Sequence, residues 1–194
     1  VVAARWGLLP HWCEDPATSY INAWSESAHT RPAFRTALAH RRCLILADGY
    51  YEWAKTPGKK QPYFISMKNG RPFAFAGIWE CWRAKQHILR SCAMLTTTSN
   101  RLLANLHERM PVILHPRDYD LWLDSRIHDP RRLQRVMRRW PGNQMKATPV
   151  STHVNDPHHD DPACIEPKSV SSIAAGHAEP GRGYVQPLFA IMDG

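Results

Sequence analysis

Glu52 is the residue whose surroundings most clearly indicate proton-transfer chemistry in this 194-residue chain. It lies in the segment Ala47-Asp48-Gly49-Tyr50-Tyr51-Glu52-Trp53, directly after the apolar run 43–47. Removing a carboxylate from water disfavours its charged form, so a Glu buried among large apolar side chains has a raised pKa and becomes a candidate general acid or base. The alternative is an exposed Glu at the end of a strand, with only its aromatic neighbours pointing inward.

Two other residues could share that chemistry. His107 stands just before the short apolar run 110–114, and an imidazole is the side chain best suited to proton transfer near neutral pH. Asn22, within Ile21-Asn22-Ala23, could orient a substrate through its amide. The ordinary alternatives are a surface histidine beside charged neighbours and an asparagine in a turn.

A further group of residues could bind nucleic acid. Trp6 and Trp12 could stack on bases, since an exposed indole accepts any base face, although packing in or beside the core is the alternative for each. Arg31 and Arg35 lie on the polar side of the first predicted helix. The formal net charge of +8 favours polyanionic partners, either nucleic acid or an acidic membrane surface. If the partner is DNA, these four residues are the candidates to contact it.

Composition narrows the class of protein. The sequence contains no apolar run of about 18 residues and no signal peptide, so we predict neither a membrane span nor a membrane partner. Its five cysteines lack CxxC spacing, which argues against a disulfide framework and a zinc site and favours the cytoplasm. The His- and Asp-rich segment 152–161 is full of turn-forming residues, and we interpret it as a solvated loop. We expect no metal and no other cofactor.

The residue patterns predict an α+β domain over residues 1–168, with a mainly antiparallel, barrel-like β core and flanking helices. Strands are predicted at 43–47, 91–98 and 110–114. Asn69-Gly70 lies between two β-rich runs and predicts a hairpin around it. From residue 169 to residue 194 no periodic pattern holds, and we predict a flexible C-terminal tail whose last apolar stretch could dock locally.

Three helices are predicted beside the sheet. The first runs over about 30–41, capped by Thr30. Its apolar face is formed by Phe34, Ala37 and Leu38. The second begins at Pro116, and the third begins at Asp129-Pro130, where Asp is a good cap and Pro suits the first turn. Five arginines lie opposite the apolar face of the third helix, where they could bind phosphates or form a solvated face.

Taken in order, several segments resemble the SOS response-associated peptidase family, the abasic site processing proteins. The matching stretches are Arg5–Trp12, Ile21–Ala23, Arg41–Trp53, Gln61–Trp79, Thr96–Leu114 and Pro149–Thr152. Each stretch is weak alone, but their order and spacing are specific, and they cover roughly residues 5–168.

The resemblance implies an enzyme of the peptidase and DNA-lyase type that binds abasic sites in single-stranded DNA. The family's nucleophile is a Cys that becomes the N-terminal residue when the initiator Met is removed. Its amine and thiol close a thiazolidine ring on the sugar aldehyde, which crosslinks protein to DNA. The family's catalytic Asn, Glu and His fall on Asn22, Glu52 and His107. The resemblance implies that Glu52 and His107 move protons and that Asn22 positions the terminal residue.

The sequence departs from the family pattern at two places. The family's Cys-Gly-Arg-Phe beginning is not found ahead of Val1, so we expect the N-terminal part with its nucleophile to be missing and crosslinking to be impaired. Trp24 stands where the family has an Arg that contacts phosphate.

Partner, location and alternative functions follow from the same resemblance. It implies a monomeric, nucleoid-associated protein of the bacterial cytoplasm whose partner is single-stranded DNA with abasic sites. A non-catalytic single-stranded DNA-binding module is the alternative function. Proteolysis of other proteins ranks below both, because the family's peptidase chemistry is best understood as removal of its own Met.

Overall fold

Eleven strands and three short α-helices form the part of the chain that the structure describes. In this computed structural model the described residues are 1–15, 17–55, 60–84, 87–168 and the backbone of 188–193. The strands are β1 (Val2–Trp6), β2 (Asn22–Trp24), β3 (Arg42–Ala47), β4 (Gly49–Lys55), β5 (Lys60–Met67), β6 (Phe73–Ala84), β7 (His87–Thr98), β8 (Arg109–Pro111), β9 (Ile113–Leu114), β10 (Met145–Pro149) and β11 (Leu188–Asp193). The helices are α1 (Arg35–His40), α2 (Tyr119–Leu123) and α3 (Pro130–Gln134).

The larger of two sheets has eight strands in the order β2-β7-β1-β11-β3-β6-β9, with β8 beside β7. Its pairings are antiparallel except for β1–β7 and β2–β7, which are parallel. Because β6 also pairs with β7, the sheet curls back on itself instead of lying flat. The predicted α+β class, with a mainly antiparallel, barrel-like core and flanking helices, is confirmed.

The smaller sheet is antiparallel, in the order β10-β5-β4, and lies against one face of the larger sheet. Side chains from both sheets form one buried cluster, in which Ile65 and Met145 meet Phe75 and Met94. Burying each such side chain contributes about 1.5–3 kcal/mol, so this cluster fixes the two sheets relative to each other. Glu52 belongs to the smaller sheet, and its position depends on this packing.

The helices cover the opposite face of the larger sheet. Trp122 of α2 is fully buried, and its Nε1 donates a 2.9 Å hydrogen bond to the carbonyl oxygen of Cys43 in β3. Leu38 of α1 and Leu133 of α3 pack into the same cluster. Helices this short are unstable alone, so the sheet holds them in place. No helix among the described residues has the length and apolar character needed to cross a membrane.

Arg42, at the start of β3, joins the ends of two helices. Its buried guanidinium donates to four backbone carbonyl oxygens at distances between 2.5 and 2.7 Å. These acceptors are Leu38 and Ala39 near the end of α1, and Trp122 and Asp124 at the end of α2. The last carbonyls of a helix lack partners within the helix and favour a cation nearby. Arg42 therefore fixes the helical layer to the sheet.

The turn at Asn69-Gly70 is present, but the hairpin predicted around it is wrong. Gly70 has a φ of 68°, and its N–H donates to the carbonyl oxygen of Met67 at 3.1 Å. The flanking strands then separate, because β5 pairs with β4 and β10 whereas β6 pairs with β3, β7 and β9. The turn residues determine only the local bend, and the pairings that each strand makes elsewhere carry the chain from one sheet to the other.

Helix boundaries agree only partly with the prediction. α1 begins at Arg35, because residues 25–34 form successive turns in which the Thr30 hydroxyl donates to the carbonyl oxygen of Ser27. The residues predicted to form the apolar face of the first helix, Phe34, Ala37 and Leu38, are nevertheless buried. Asp129 caps α3 as predicted, accepting from the N–H of Arg131 at 2.9 Å.

The predicted C-terminal tail lies mostly outside the described residues. Within 169–194 the structure describes only Leu188–Asp193, and these residues form β11. β11 pairs antiparallel with β1 on one side and with β3 on the other, so this segment is part of the sheet. The boundary at residue 168 and the flexible tail over 169–187 stay predictions.

Candidate catalytic site

Glu52 lies on β4, opposite Tyr63 of β5. It is half-buried, and this burial raises the pKa of its carboxyl above the ordinary value of 4.5, while the nearby His107 lowers it in part. The alternative of a fully exposed Glu at a strand end therefore does not describe this residue. A carboxyl in such surroundings holds its proton to a higher pH than an exposed one, as a general acid requires.

Tyr50 shares the face of β4 that carries Glu52, because side chains two residues apart on a strand point the same way. Its ring packs edge-on against Phe75, with the ring centroids 5.7 Å apart. Burial, and then the charge of Glu52, raises the pKa of Tyr50, so its hydroxyl stays protonated near neutral pH. Within the described residues that hydroxyl has no hydrogen-bond partner. Tyr50 is thus a buried donor without a partner on the same face of the strand as Glu52, and the sequence analysis did not single it out.

His107 is held in the loop between β7 and β8 by its neighbours. The Ser99 hydroxyl donates to its carbonyl oxygen at 2.6 Å, and the N–H of Arg109 donates to its Nδ1 at 3.0 Å. Nδ1 also lies 3.1 Å from the carbonyl oxygen of Arg109, to which it donates in the other tautomer. In either tautomer the backbone of Arg109 fixes the ring through Nδ1.

Asn22 is exposed at the start of β2, where it lies opposite Met94 of β7. The residue before it is tied down, because Nε1 of Trp6 donates to the carbonyl oxygen of Ile21 at 2.8 Å. Ala23 is buried, so Asn22 and Trp24 project on the same side of the strand, away from it. The structure thus gives Asn22 a fixed backbone and an exposed amide.

Arg109 connects β2 to the His107 loop, and the sequence analysis missed it. Its guanidinium donates to both carboxylate oxygens of Glu26, at 3.1 and 2.7 Å, and to the carbonyl oxygen of Thr96 at 2.5 Å. Its guanidinium carbon also lies 4.9 Å from the ring centroid of Trp24. Glu26 and Arg109 are 83 residues apart in the chain, so no spacing could have indicated this pair.

The tryptophans predicted to bind DNA differ in exposure. Trp12 is 55% exposed in a loop that the buried Glu80 holds by accepting a 3.1 Å hydrogen bond from the N–H of His11. Glu80 is itself paired with Arg41. Trp6 is half-buried against the cluster between the two sheets, so packing accounts for much of its surface. Stacking on bases stays a prediction for both.

Arg35 is exposed at the beginning of α1, and Arg31 is exposed four residues before it, on the helical side of the larger sheet. Glu52 belongs to the smaller sheet, which packs on the opposite face. The fold therefore does not gather these two arginines with Glu52. Their contact with DNA also stays a prediction.

Three potential metal-ligating side chains come together in the segment 152–168. Atoms of His153, Asp161 and Cys164 lie within 4.8 Å of one another. The Nε2 atom of His153 is hydrogen-bonded to Asp161 at 2.9 Å, and the thiol of Cys164 donates to the carbonyl oxygen of His159. These hydrogen bonds account for the approach of the groups without an ion.

The five cysteines all lie within the described residues, and they form no disulfide. Burial raises the pKa of Cys92 to about 12, which makes it a poor nucleophile near neutral pH. Cys43 and Cys164 are buried as well. The three buried cysteines are thus poorly placed to act as nucleophiles.

Known proteins resemble the chain over most of its length. The family model described as SOS response associated peptidase (SRAP) matches residues 1–157. The abasic site processing protein YoqW of Bacillus subtilis is 39% identical over 166 residues, which cover 84% of this chain and 74% of that protein. The abasic site processing protein HMCES of Gallus gallus is 30% identical over 207 residues, which cover 90% of this chain and 61% of that protein.

Two solved structures share the fold. A protein from Bacteroides thetaiotaomicron superposes with a TM-score of 0.79 at 23% identity, over 86% of this chain and 76% of the other. A protein from Bordetella bronchiseptica superposes with a TM-score of 0.69 at 29% identity, over 76% of each chain.

Proposed function

Because the chain belongs to the SOS response associated peptidase family, we propose that it processes abasic sites in single-stranded DNA. The relatives YoqW and HMCES are named abasic site processing proteins. The observation that carries the proposal is Glu52, a half-buried carboxyl with a raised pKa close to His107. Such a pair can move the protons that condensation with an aldehyde requires, and a chain of net charge +8 attracts DNA.

The proposed reaction joins the protein to the ring-opened abasic sugar. The α-amine of an N-terminal Cys adds to the aldehyde carbon, and loss of water leaves a Schiff base. The thiol then adds across the C=N bond, so that sulfur bonds to carbon, its proton moves to nitrogen, and a thiazolidine ring closes. Glu52 and His107 protonate the departing hydroxyl and accept the proton that the amine gives up, while Asn22 positions the terminal residue.

The nucleophile must carry an amine and a thiol on the same residue, so an internal Cys cannot replace it. A polypeptide that begins at Val1 offers an α-amine without a thiol. We expect such a polypeptide to bind abasic DNA without forming the thiazolidine. Preceding it with an N-terminal segment of the family's length that begins Met-Cys-Gly-Arg-Phe should supply the nucleophile once the chain has removed its own Met.

Crosslinking to single-stranded DNA that contains one abasic site tests the proposal. The extended chain should lose its Met, as seen by intact mass, and should form an adduct that survives denaturing electrophoresis. The 194-residue chain should form none. Glu52→Gln in the extended chain should slow adduct formation by about 10²–10⁴-fold, the usual contribution of a positioned general acid or base.

Glu166→Gln is the matched control, because Glu166 is an exposed carboxylate outside the site. It should form the adduct at the rate of the unsubstituted extended chain. The proposal fails if the extended chain forms no adduct. The assignment of Glu52 fails if Glu52→Gln and Glu166→Gln crosslink at the same rate.

A non-catalytic single-stranded DNA-binding module is the second candidate, favoured by the 55% exposure of Trp12. It needs only a basic surface and aromatic stacking. This candidate predicts equal affinity for intact and abasic strands. It also predicts that added salt abolishes binding and that Trp12→Ala weakens it. We expect tighter binding to the abasic strand instead.

A further inference from the structure

Trp24 presents an exposed aromatic surface beside the candidate catalytic residues. It is 57% exposed on β2, two residues from Asn22 and on the same side of the strand. Ala23, between them, is the residue of β2 that packs inward. The core therefore does not account for the position of this indole.

One face of the Trp24 ring is covered by a guanidinium that cannot easily move. Arg109 lies 4.9 Å from the ring centroid, and its side chain is only 14% exposed. Two hydrogen bonds to Glu26 and one to the carbonyl oxygen of Thr96 fix its plane. A ring that is covered on one face and still 57% exposed offers its other face to a ligand.

Arg109 also connects Trp24 to His107. Its backbone N–H donates to Nδ1 of His107 at 3.0 Å, while its side chain reaches Trp24. Because Arg109 contacts both residues, a ligand that stacks on Trp24 has a fixed position relative to the imidazole of His107. Asn22 lies two residues from Trp24 along the same strand.

The chemistry of this site suits the flat face of a base better than a phosphate. Glu26 accepts from Nη1 and Nη2 of Arg109 and compensates its charge, and Nε of Arg109 is buried, so little positive charge is left to attract an anion. The indole itself is uncharged and flat. A base next to an abasic sugar has lost its stacking partner on one side, and an aromatic side chain can replace that partner.

We propose that Trp24, supported by Arg109 and Glu26, is a binding site for the nucleobase that flanks the abasic sugar. This inference rests on the proposed function, because it takes abasic DNA as the ligand. The site holds the flanking nucleotide by stacking and thereby places the damaged sugar between Asn22 and His107. It distinguishes a single abasic site within a stacked strand from a stretch of backbone without bases.

Binding of the 194-residue chain to two single-stranded oligonucleotides tests the stacking site. The first carries one tetrahydrofuran residue, an unreactive abasic analogue, between ordinary nucleotides. The second carries three consecutive tetrahydrofuran residues, which removes both flanking bases but keeps every phosphate. The unsubstituted chain should bind the first about 5- to 100-fold more tightly, the contribution of stacking one base on an aromatic side chain.

Trp24→Ala should lose most of this preference, whereas Trp24→Phe, which keeps a flat ring, should retain most of it. Ile88→Ala is the matched control, because Ile88 is a 63% exposed apolar residue at the far end of β7 and should keep the full preference. Thermal unfolding of each variant shows that it is folded. If Trp24→Ala is not folded, Trp24→Leu carries the test, because it keeps an apolar side chain without a flat ring and should lose most of the preference.

The possible failures are distinguishable. If the unsubstituted chain prefers the singly abasic strand and Trp24→Ala keeps that preference, the stacking site is wrong while abasic-site binding stands. The stacking site is also wrong if the unsubstituted chain binds both strands equally. If it binds neither strand at low salt, the proposed function fails and the stacking site fails with it.

Discussion

Glu52 is a residue whose ionisation opposes folding. In the unfolded chain its carboxyl ionises at the ordinary value of 4.5, whereas burial raises the pKa in the folded chain. As pH rises through the interval between these values, the folded state binds more protons than the unfolded state, so stability falls. The lost stability is not regained at higher pH, because the folded carboxylate remains partly removed from water.

Glu52→Gln should therefore stabilise the protein at neutral pH while it slows the proposed reaction. Gln has a similar shape and no charge to desolvate. Its advantage over the unsubstituted chain should be absent below about pH 4, where both side chains are neutral, and should grow as pH rises above that. Urea unfolding at pH 4 and pH 7 measures it, and equal stability of the two proteins at both pH values would contradict the desolvated carboxyl.

Thiol reactivity should follow burial. Cys13 and Cys81 are partly exposed, whereas Cys43, Cys92 and Cys164 are buried, and Cys92 has a pKa raised to about 12. Titration of the native protein with a disulfide reagent at pH 8 should give two fast thiols, and the other three should react only in denaturant. Fast reaction of all five thiols in the native protein would show that the core is open.

At the scale of secondary structure elements, Arg42 connects the ends of α1 and α2 to the sheet through hydrogen bonds. Arg42→Met keeps the apolar stem but leaves four helix-end carbonyl oxygens without their donor. The expected cost is about 2–4 kcal/mol of unfolding free energy, the loss of buried charge-assisted hydrogen bonds. Urea unfolding measures it.

Arg126→Met is the matched control for Arg42→Met. The side chain of Arg126 is 89% exposed and pairs with Asp124 at the surface, where ion pairs contribute little. The unfolding free energy should barely change. If both substitutions cost the same, the buried hydrogen bonds of Arg42 do not stabilise the helical layer.

Local patterns predicted individual elements better than their pairing. The run 43–47 forms a strand, and the predicted apolar residues Phe34, Ala37 and Leu38 are buried. Both predictions succeed because the spacing of apolar residues along a short segment indicates which of them face the core. Asn69-Gly70 correctly predicted a bend and wrongly predicted a hairpin. Which strand lies beside which depends on partners far along the chain, and a turn sequence carries no information about them.

For the candidate site, the sequence indicated single residues and missed their supports. Glu52 was indicated by its aromatic surroundings, and its raised pKa agrees with that reading. Arg109 and Glu26 hold Trp24 and connect it to His107. Their contact could not be predicted from the sequence, because the two residues are 83 positions apart and only the fold brings them together. Polar contacts between distant residues produce no periodic pattern in the sequence from which they could be predicted.

At the scale of the whole molecule, the position of β11 makes one short strand important for the entire sheet. Ala190 lies opposite Ala3 of β1, in a strand that is paired on both sides. Ala190→Pro removes an N–H from the middle of β11 and should cost about 3 kcal/mol or more. Ala190→Gly keeps the N–H and should cost only about 0.5–1 kcal/mol.

Thermal unfolding and size-exclusion chromatography measure both substitutions at residue 190. Ala190→Pro should unfold at a lower temperature and should associate, because the released edges of β1 and β3 can pair with other chains. If Ala190→Pro and Ala190→Gly are equally stable, β11 does not hold the sheet together.

β11 also determines when the protein can complete its fold during synthesis. Among the described strands it leaves the ribosome last, yet it lies between β1, which leaves before the other ten, and β3. The nascent chain must therefore carry two unpaired strand edges until residues 188–193 have emerged. Closure of the sheet depends on contacts of very high sequence separation, which fold slowly and expose aggregation-prone edges meanwhile. We expect the chain to depend on chaperones that bind extended segments while it is being translated.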